Sequence, residues 1–227
     1  FAYVIPTCAN PTGLTISSER RELLAQKARE FDFWIVEDDP YGEIWYTHEP
    51  PPSMRAFAAE RTIRLGTLSK ILTPGFRLGY IIAPKEVLNK VMQLKGAMDL
   101  HTCTFTQLVA AQVFSENILD EHLPAIRARY KKHADAMLAA LEEFMPDGIE
   151  WTRPIGGMFI WVTVPAHVNM TELLPLALEQ KVAYVPSEPF YANAPQFNHF
   201  RLSFVTVGPE TIREGVKRLG ELLKAHI

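Results

Sequence analysis

At 227 residues, 48% hydrophobic and 22% charged, the chain has the composition of an ordinary globular protein with room for one large or two modest domains, which excludes disordered, collagenous and low-complexity classes. A net charge of -3 offers no basic field for nucleic acid, and no apolar run or signal pattern suits a membrane span, so a cytoplasmic protein is expected. Cys8 and Cys103 lack CxxC spacing and the seven histidines form no tight ligand pattern, which argues against a disulfide framework, structural zinc or other metal chemistry.

In chain order, residues 2–6 (AYVIP) are the first expected strand, closed by the turn Asn10-Pro11-Thr12-Gly13. Ser17 then stands as N-cap of a helix through SERRELLAQKAREF, with Leu23, Leu24, Ala28 and Phe31 at helical spacing. FDFWIVEDD returns to an apolar strand ending in acids; RTIRLGTLSK and RLGYIIAP give two more. Nearly continuous apolar runs separated by helical or long connections predict an α/β fold with a mainly parallel sheet covered on both faces.

The second half has a different texture. From Glu116 to Phe144 the spacing predicts one long amphipathic helix, with Leu123, Ile126, Tyr130, Met137, Leu141 and Phe144 on one stripe. GIEWTR and GMFIWVTVP alternate around Gly156-Gly157 as a hairpin, and a helix follows at about 170–180, where Asn169 and Glu172 suit a capping box. Strand FRLSFV leads through Gly208-Pro209 into a closing helix. The expected division is part of an α/β domain at 1–120 and a smaller α+β domain at 121–227, joined by the long helix.

Ligands of a parallel sheet bind beyond the carboxyl ends of its strands, where loops and helix N-termini converge. Those ends carry Asn10, then Asp38 and Tyr41, then Thr67, Ser69 and Lys70, with Arg77 in the turn before the fourth strand. A lysine buried at such an edge is costly unless it loses its proton or is used covalently, and its standard covalent use is a Schiff base with a carbonyl. Arg77 with Thr67 or Ser69 suits a phosphate, Asp38 a protonated ring nitrogen, and Tyr41 and Asn10 a phenolate oxygen. That inventory fits pyridoxal phosphate. Plainer readings stand beside it. Asn10 is a turn residue, Tyr41 a core residue, Arg77 the partner of a local acid, Arg201 a sheet-surface arginine, and Asp39 is the alternative to Asp38.

NPTG at 10–13, the D-x-x-Y of Asp38 to Tyr41, TLSK at 67–70, Arg77 seven residues after the lysine, and FRLSF at 200–204 together resemble the class I/II aminotransferases, pyridoxal-phosphate enzymes of fold type I. VEDDPYGEIWY, MDLHT and RPIGGMFIWV resemble most the 2-aminoadipate and kynurenine-type subgroup, and also the aminotransferase-like domain of certain helix-turn-helix regulators. The resemblance implies that Lys70 forms the Schiff base and shuttles the proton at the substrate Cα. It gives Asp38 the pyridinium, Tyr41 and Asn10 the cofactor's phenolate oxygen, and Thr67, Ser69 and Arg77 the phosphate. Arg201 would grip the substrate carboxylate, with Asn10 also on the substrate side, and Asn10-Pro11 would be a cis peptide.

Transamination between an amino acid and a 2-oxo acid, in a homodimer, is therefore the leading expectation. A pyridoxal-phosphate lyase or decarboxylase and the effector domain of a regulator are the alternatives. Two departures stand out. Ser187 occupies a position the family usually gives to glycine, and the family's N-terminal half has no counterpart before Phe1, so the sequence is expected to be the C-terminal part of a longer enzyme that alone binds cofactor weakly or not at all.

Overall fold

The computed structural model describes residues 1–227, which divide into two compact units. The first comprises residues 1–7 and 15–126, the second residues 8–14 and 127–227. This boundary lies a few residues beyond the expected 120/121 division, inside a helix, and it assigns the short Asn10-Pro11-Thr12-Gly13 segment to the second unit rather than the first.

The first unit is built on a four-stranded sheet in the order β1 (Ala2–Val4), β2 (Ile35–Asp38), β3 (Thr62–Thr67), β4 (Gly79–Ile82). β1, β2 and β3 are parallel; β4 returns antiparallel on β3 through a short turn, which is why the sheet is mainly and not wholly parallel. The registers Tyr3–Val36 and Asp38–Leu65 put Tyr3, Val36, Asp38, Leu65 and Thr67 on one face, and Val4, Ile35, Glu37, Thr62 and Arg64 on the other.

The second of these faces is the packed one. Ile35, Glu37 and Thr62 are fully buried there, and Ile35 packs with Ala28 of α1 (Ser18–Glu30) and with Met54, just ahead of the short α2 (Arg55–Ala58). Ser17 caps α1 as expected, its hydroxyl accepting from the Arg20 N–H at 3.4 Å. The expected stripe is corrected, however. The inward residues are Arg21, Ala25 and Ala28, whereas Leu23 and Phe31 are more than half exposed. Two alanines let the helix lie close to the sheet, and a buried arginine carries no hydrophobic signal.

Arg21 is 1% exposed and donates to the carbonyls of Pro6, Ile16, Pro51 and Pro52 and to Thr7 Oγ1, at 2.8–3.0 Å. Beside it, buried Glu37 accepts from Ser53 Oγ at 2.5 Å and from the Met54 N–H at 3.1 Å. Charges this deep are tolerated because their hydrogen-bonding capacity is used.

No element is expected in the stretch after β4, yet two helices fill it: α3 (Lys85–Met98) and α4 (Thr104–Ser115). α3 buries no residue although Val87, Leu88, Val91, Leu94 and Met98 fall at helical spacing, while α4 buries only Ala110 and is apolar nearly all round, with no one-sided stripe to mark it in sequence. α5 (Ile118–Phe144) begins two residues later than expected and carries Pro124 in its second turn.

In the second unit, α5 supplies Ala134, Met137, Ala140 and Leu141 to the core. The sheet there runs β5 (Glu150–Trp151), β6 (Phe159–Thr163), β8 (His199–Ser203), β7 (Val185–Pro186), all neighbours antiparallel. β5 and β6 form the predicted hairpin. α6 (Met170–Glu179) starts at Asn169, whose Oδ1 accepts from the Thr171 and Glu172 N–H groups while its Nδ2 donates to Glu172 Oε1 at 2.9 Å. α7 (Pro209–Lys224) has Pro at its first turn and buries Ile212, Val216, Leu219, Leu222 and Leu223. No helix is long and apolar enough to cross a membrane.

Candidate active site

Two groups of the expected residues come together, one in each unit. In the first unit, β3 ends at Thr67 and the chain turns sharply. The turn is pinned from below by Leu68 and Leu78, both buried against Ala110 of α4, and by the bond from the Leu68 N–H to the Leu78 carbonyl at 3.0 Å. Thr67 Oγ1 accepts from the Ser69 N–H at 3.1 Å, donates to Ser69 Oγ at 3.0 Å and lies 3.2 Å from the Leu78 carbonyl. The proton of Ser69 itself is left to donate elsewhere. Lys70 follows in the same turn, half-buried, and its amine meets no carboxylate and no hydrogen-bond acceptor.

Arg77 lies next in sequence to Leu78, at the end of the short 3-10 turn Pro74–Phe76 that precedes β4. It is exposed, sits at φ 53°, and donates only to the Pro74 carbonyl, at 3.4 Å. Its planar fork is thus largely uncommitted.

At the end of β2 the two aspartates part ways. Asp39 is turned to Arg64, 2.8 Å from its Nη2, with its side chain only 7% exposed. Asp38 points to the other face and accepts from the hydroxyl of Tyr3 on β1. Tyr3 was not among the expected site residues. Diagonal neighbours on adjacent parallel strands cannot be recognised until the register is known. Partial desolvation and then the Asp38 carboxylate push the Tyr3 phenol up to about 12. Tyr41, three residues past Asp38, is 5% exposed.

The second unit holds the other pair. Arg201, central on β8 between Trp161 of β6 and Val185 of β7, donates from Nη1 to Asn10 Oδ1 at 2.6 Å. Its guanidinium lies 4.1 Å from the Phe159 ring centroid and 5.5 Å from that of Phe190. Asn10 is brought here by close backbone approach. Gly13 has φ +69° and a Cβ on it would stand 2.6 Å from the Phe159 carbonyl; Gly157 has φ +75° and a Cβ would meet that of Cys8 at 2.6 Å. Only glycine permits both. Asn10-Pro11 is cis. Ser187, where glycine was expected, sits at φ -71° and ψ -29°, an ordinary conformation for any residue, and its buried hydroxyl donates to the Gln196 carbonyl.

The comparisons with known proteins agree with one another. The model of the family described as aminotransferase class I and II matches residues 3–219. An aromatic-amino-acid aminotransferase of Thermococcus litoralis is 48% identical over 226 residues, which are 99% of this chain and 54% of that protein. The kynurenine aminotransferase of Pyrococcus horikoshii, solved in complex with PMP, KYN as substrates and KYA as products, matches with a TM-score of 0.95 at 45% identity, covering 99% of this chain and 56% of the other. An uncharacterized HTH-type transcriptional regulator of Bacillus subtilis, YisV, is 30% identical over 96% of this chain and 45% of its own length. The chain spans about half the length of the curated relatives it matches. With the family model running over nearly all of its residues, the chain belongs to the class I and II aminotransferases.

Proposed function

We propose that the intact protein carrying this chain is a pyridoxal-phosphate-dependent aminotransferase, working as a homodimer and exchanging an amino group between an amino acid and a 2-oxo acid. The observation that carries the reading is Lys70, a half-buried lysine at a strand end whose amine has no counter-ion, in a turn lined by hydroxyls. The donor set fits the cofactor. Asp38 keeps one carboxylate oxygen unbonded for a ring N–H, Ser69 keeps a hydroxyl proton and Arg77 most of its fork for phosphate, and the phenol of buried Tyr41 suits the phenolate oxygen.

Pyridoxal phosphate, when bound, supplies an aldehyde for covalent attachment and a ring that accepts the electron pair released at the substrate Cα. Lys70 would hold the cofactor through its amine, and its Nζ, once freed by the substrate's amine, would take the proton from the substrate Cα and deliver it to the former aldehyde carbon. Arg201 takes the substrate's α-carboxylate through its planar fork, held flat by the Phe159 and Phe190 rings and anchored at one nitrogen by Asn10.

Replacing Lys70 by Ala in the intact protein should abolish both the visible absorbance of the covalently attached cofactor and transamination; full turnover in the variant would end the reading. A second reading, the effector domain of a regulator, is favoured by the likeness to YisV. It is separated from the first by turnover itself: an effector domain would bind pyridoxal phosphate or an amino acid without converting the amino acid when a 2-oxo acid is supplied.

A further inference from the structure

Tyr3 has no part in the reading above, yet it is the only group bonded to Asp38. Its hydroxyl donates to Oδ2 across the diagonal of the β1–β2 pair, while Oδ1 makes no hydrogen bond or ion pair. The tyrosine cannot be drawn off by another partner, since it makes no second hydrogen bond, and its backbone is fixed in the strand by the register with Val36. Asp39, the neighbouring carboxylate, faces the opposite way into Arg64 and cannot substitute. A carboxylate at a strand end has a broad terminal torsion, so a single charge-assisted bond to one oxygen decides where the other points. With its phenol pushed up to about 12, first by desolvation and then by Asp38, Tyr3 is protonated, and hence a donor, at neutral pH.

We propose that Tyr3 is a positioning residue for the cofactor: by occupying Oδ2 it holds the Asp38 carboxylate in one orientation and presents Oδ1 to the protonated ring nitrogen of pyridoxal phosphate. This rests on the cofactor reading given above. In this role Tyr3 needs no contact with substrate or reacting atoms. It acts only through Asp38, and that separates it from a residue that merely stabilises the sheet.

The test uses the intact protein, freed of cofactor and titrated with pyridoxal phosphate, in four forms: wild type, Tyr3→Phe, Asp38→Ala and the double variant. Two quantities are read, the dissociation constant of the cofactor and the 15N resonance of its labelled ring nitrogen. In Tyr3→Phe the cofactor should bind about tenfold more weakly, the scale of one lost hydrogen bond to a charged group, and the resonance should move toward the unprotonated position. In the Asp38→Ala background the same change should do nothing further. Wild-type affinity and resonance in Tyr3→Phe would overturn the proposal. So would an equal loss with and without the Asp38 carboxylate, which marks a purely structural contact. Failure of the wild-type protein to take up pyridoxal phosphate would instead overturn the functional reading itself, and with it the role of Tyr3.

Discussion

A guanidinium set between two aromatic faces has given up much of its side-chain freedom before any ligand arrives, so its fork can bind a carboxylate with little further ordering. Arg201 is in that position, over Phe159 and beside Phe190. Replacing it by Lys keeps the charge but loses the planar fork. The expected result in the intact protein is a KM for the amino acid raised by about 10- to 100-fold, with cofactor affinity unchanged, as for one charge-assisted hydrogen bond removed from substrate binding; steady-state kinetics beside a cofactor titration check it. The identity of such residues was open to sequence reasoning because short motifs carry them: TLSK for Lys70, D-x-x-Y for Asp38 and Tyr41, FRLSF for Arg201. Their partners were not. Spacing to Tyr41 favours Asp38 over Asp39, but only the strand pleat shows one facing Tyr3 and the other Arg64, and Tyr3 itself lies 35 residues away from the carboxylate it holds.

Among the elements, those with a cap or a turn signal at their start were the most legible, such as α1 behind Ser17 and α6 behind Asn169. α7 announced itself, with five large apolar residues on its inner face and Pro at its first turn. α1 was found with only half its inner face, Leu24 and Ala28, because Arg21 and Ala25 complete its buried side while Leu23 and Phe31 turn outward. α3 and α4 were missed because neither opens on a capping side chain, and α4 is apolar on every side. The hairpin of β5 and β6 was legible through its glycine pair, and the structure adds why the second glycine is needed. Gly157 has φ +75° and backs onto Cys8. Gly157→Ala introduces a strained backbone and a clash with a buried side chain, and should destabilise the protein by about 2–4 kcal/mol. Urea unfolding reads that loss directly, and a variant with an unshifted midpoint would show that the loop relaxes freely.

For the molecule as a whole, stability is concentrated in a few buried polar hubs more than in the many surface ion pairs. Lys27–Glu30 and Lys131–Asp135 are half-exposed pairs within single helices, of a kind worth a few tenths of a kcal/mol. Arg21 is different. Its one side chain satisfies carbonyls at positions 6, 16, 51 and 52 and the Thr7 hydroxyl, fastening the connection that follows β1 to the one that follows β2. Arg21→Met should cost at least about 3 kcal/mol, because several buried acceptors lose their donor at once. Arg21→Lys should recover only part of it, since three donors on one nitrogen cannot reach five acceptors. Thermal or urea midpoints of the two variants check the order; equal stability of Lys and wild type would show that charge rather than the fork matters.

The seven residues from Cys8 to Leu14 belong to the second unit although both flanking stretches belong to the first. Modular dissection is therefore blocked. A gene trimmed to begin at Arg127 would encode β6 and β8 without the strip that Gly157 and Arg201 are shaped to receive, leaving a bare cleft where the asparagine should dock. Swapping the C-terminal module between relatives would likewise require grafting that strip from the same donor, since its fit is to the imported sheet and not to the host.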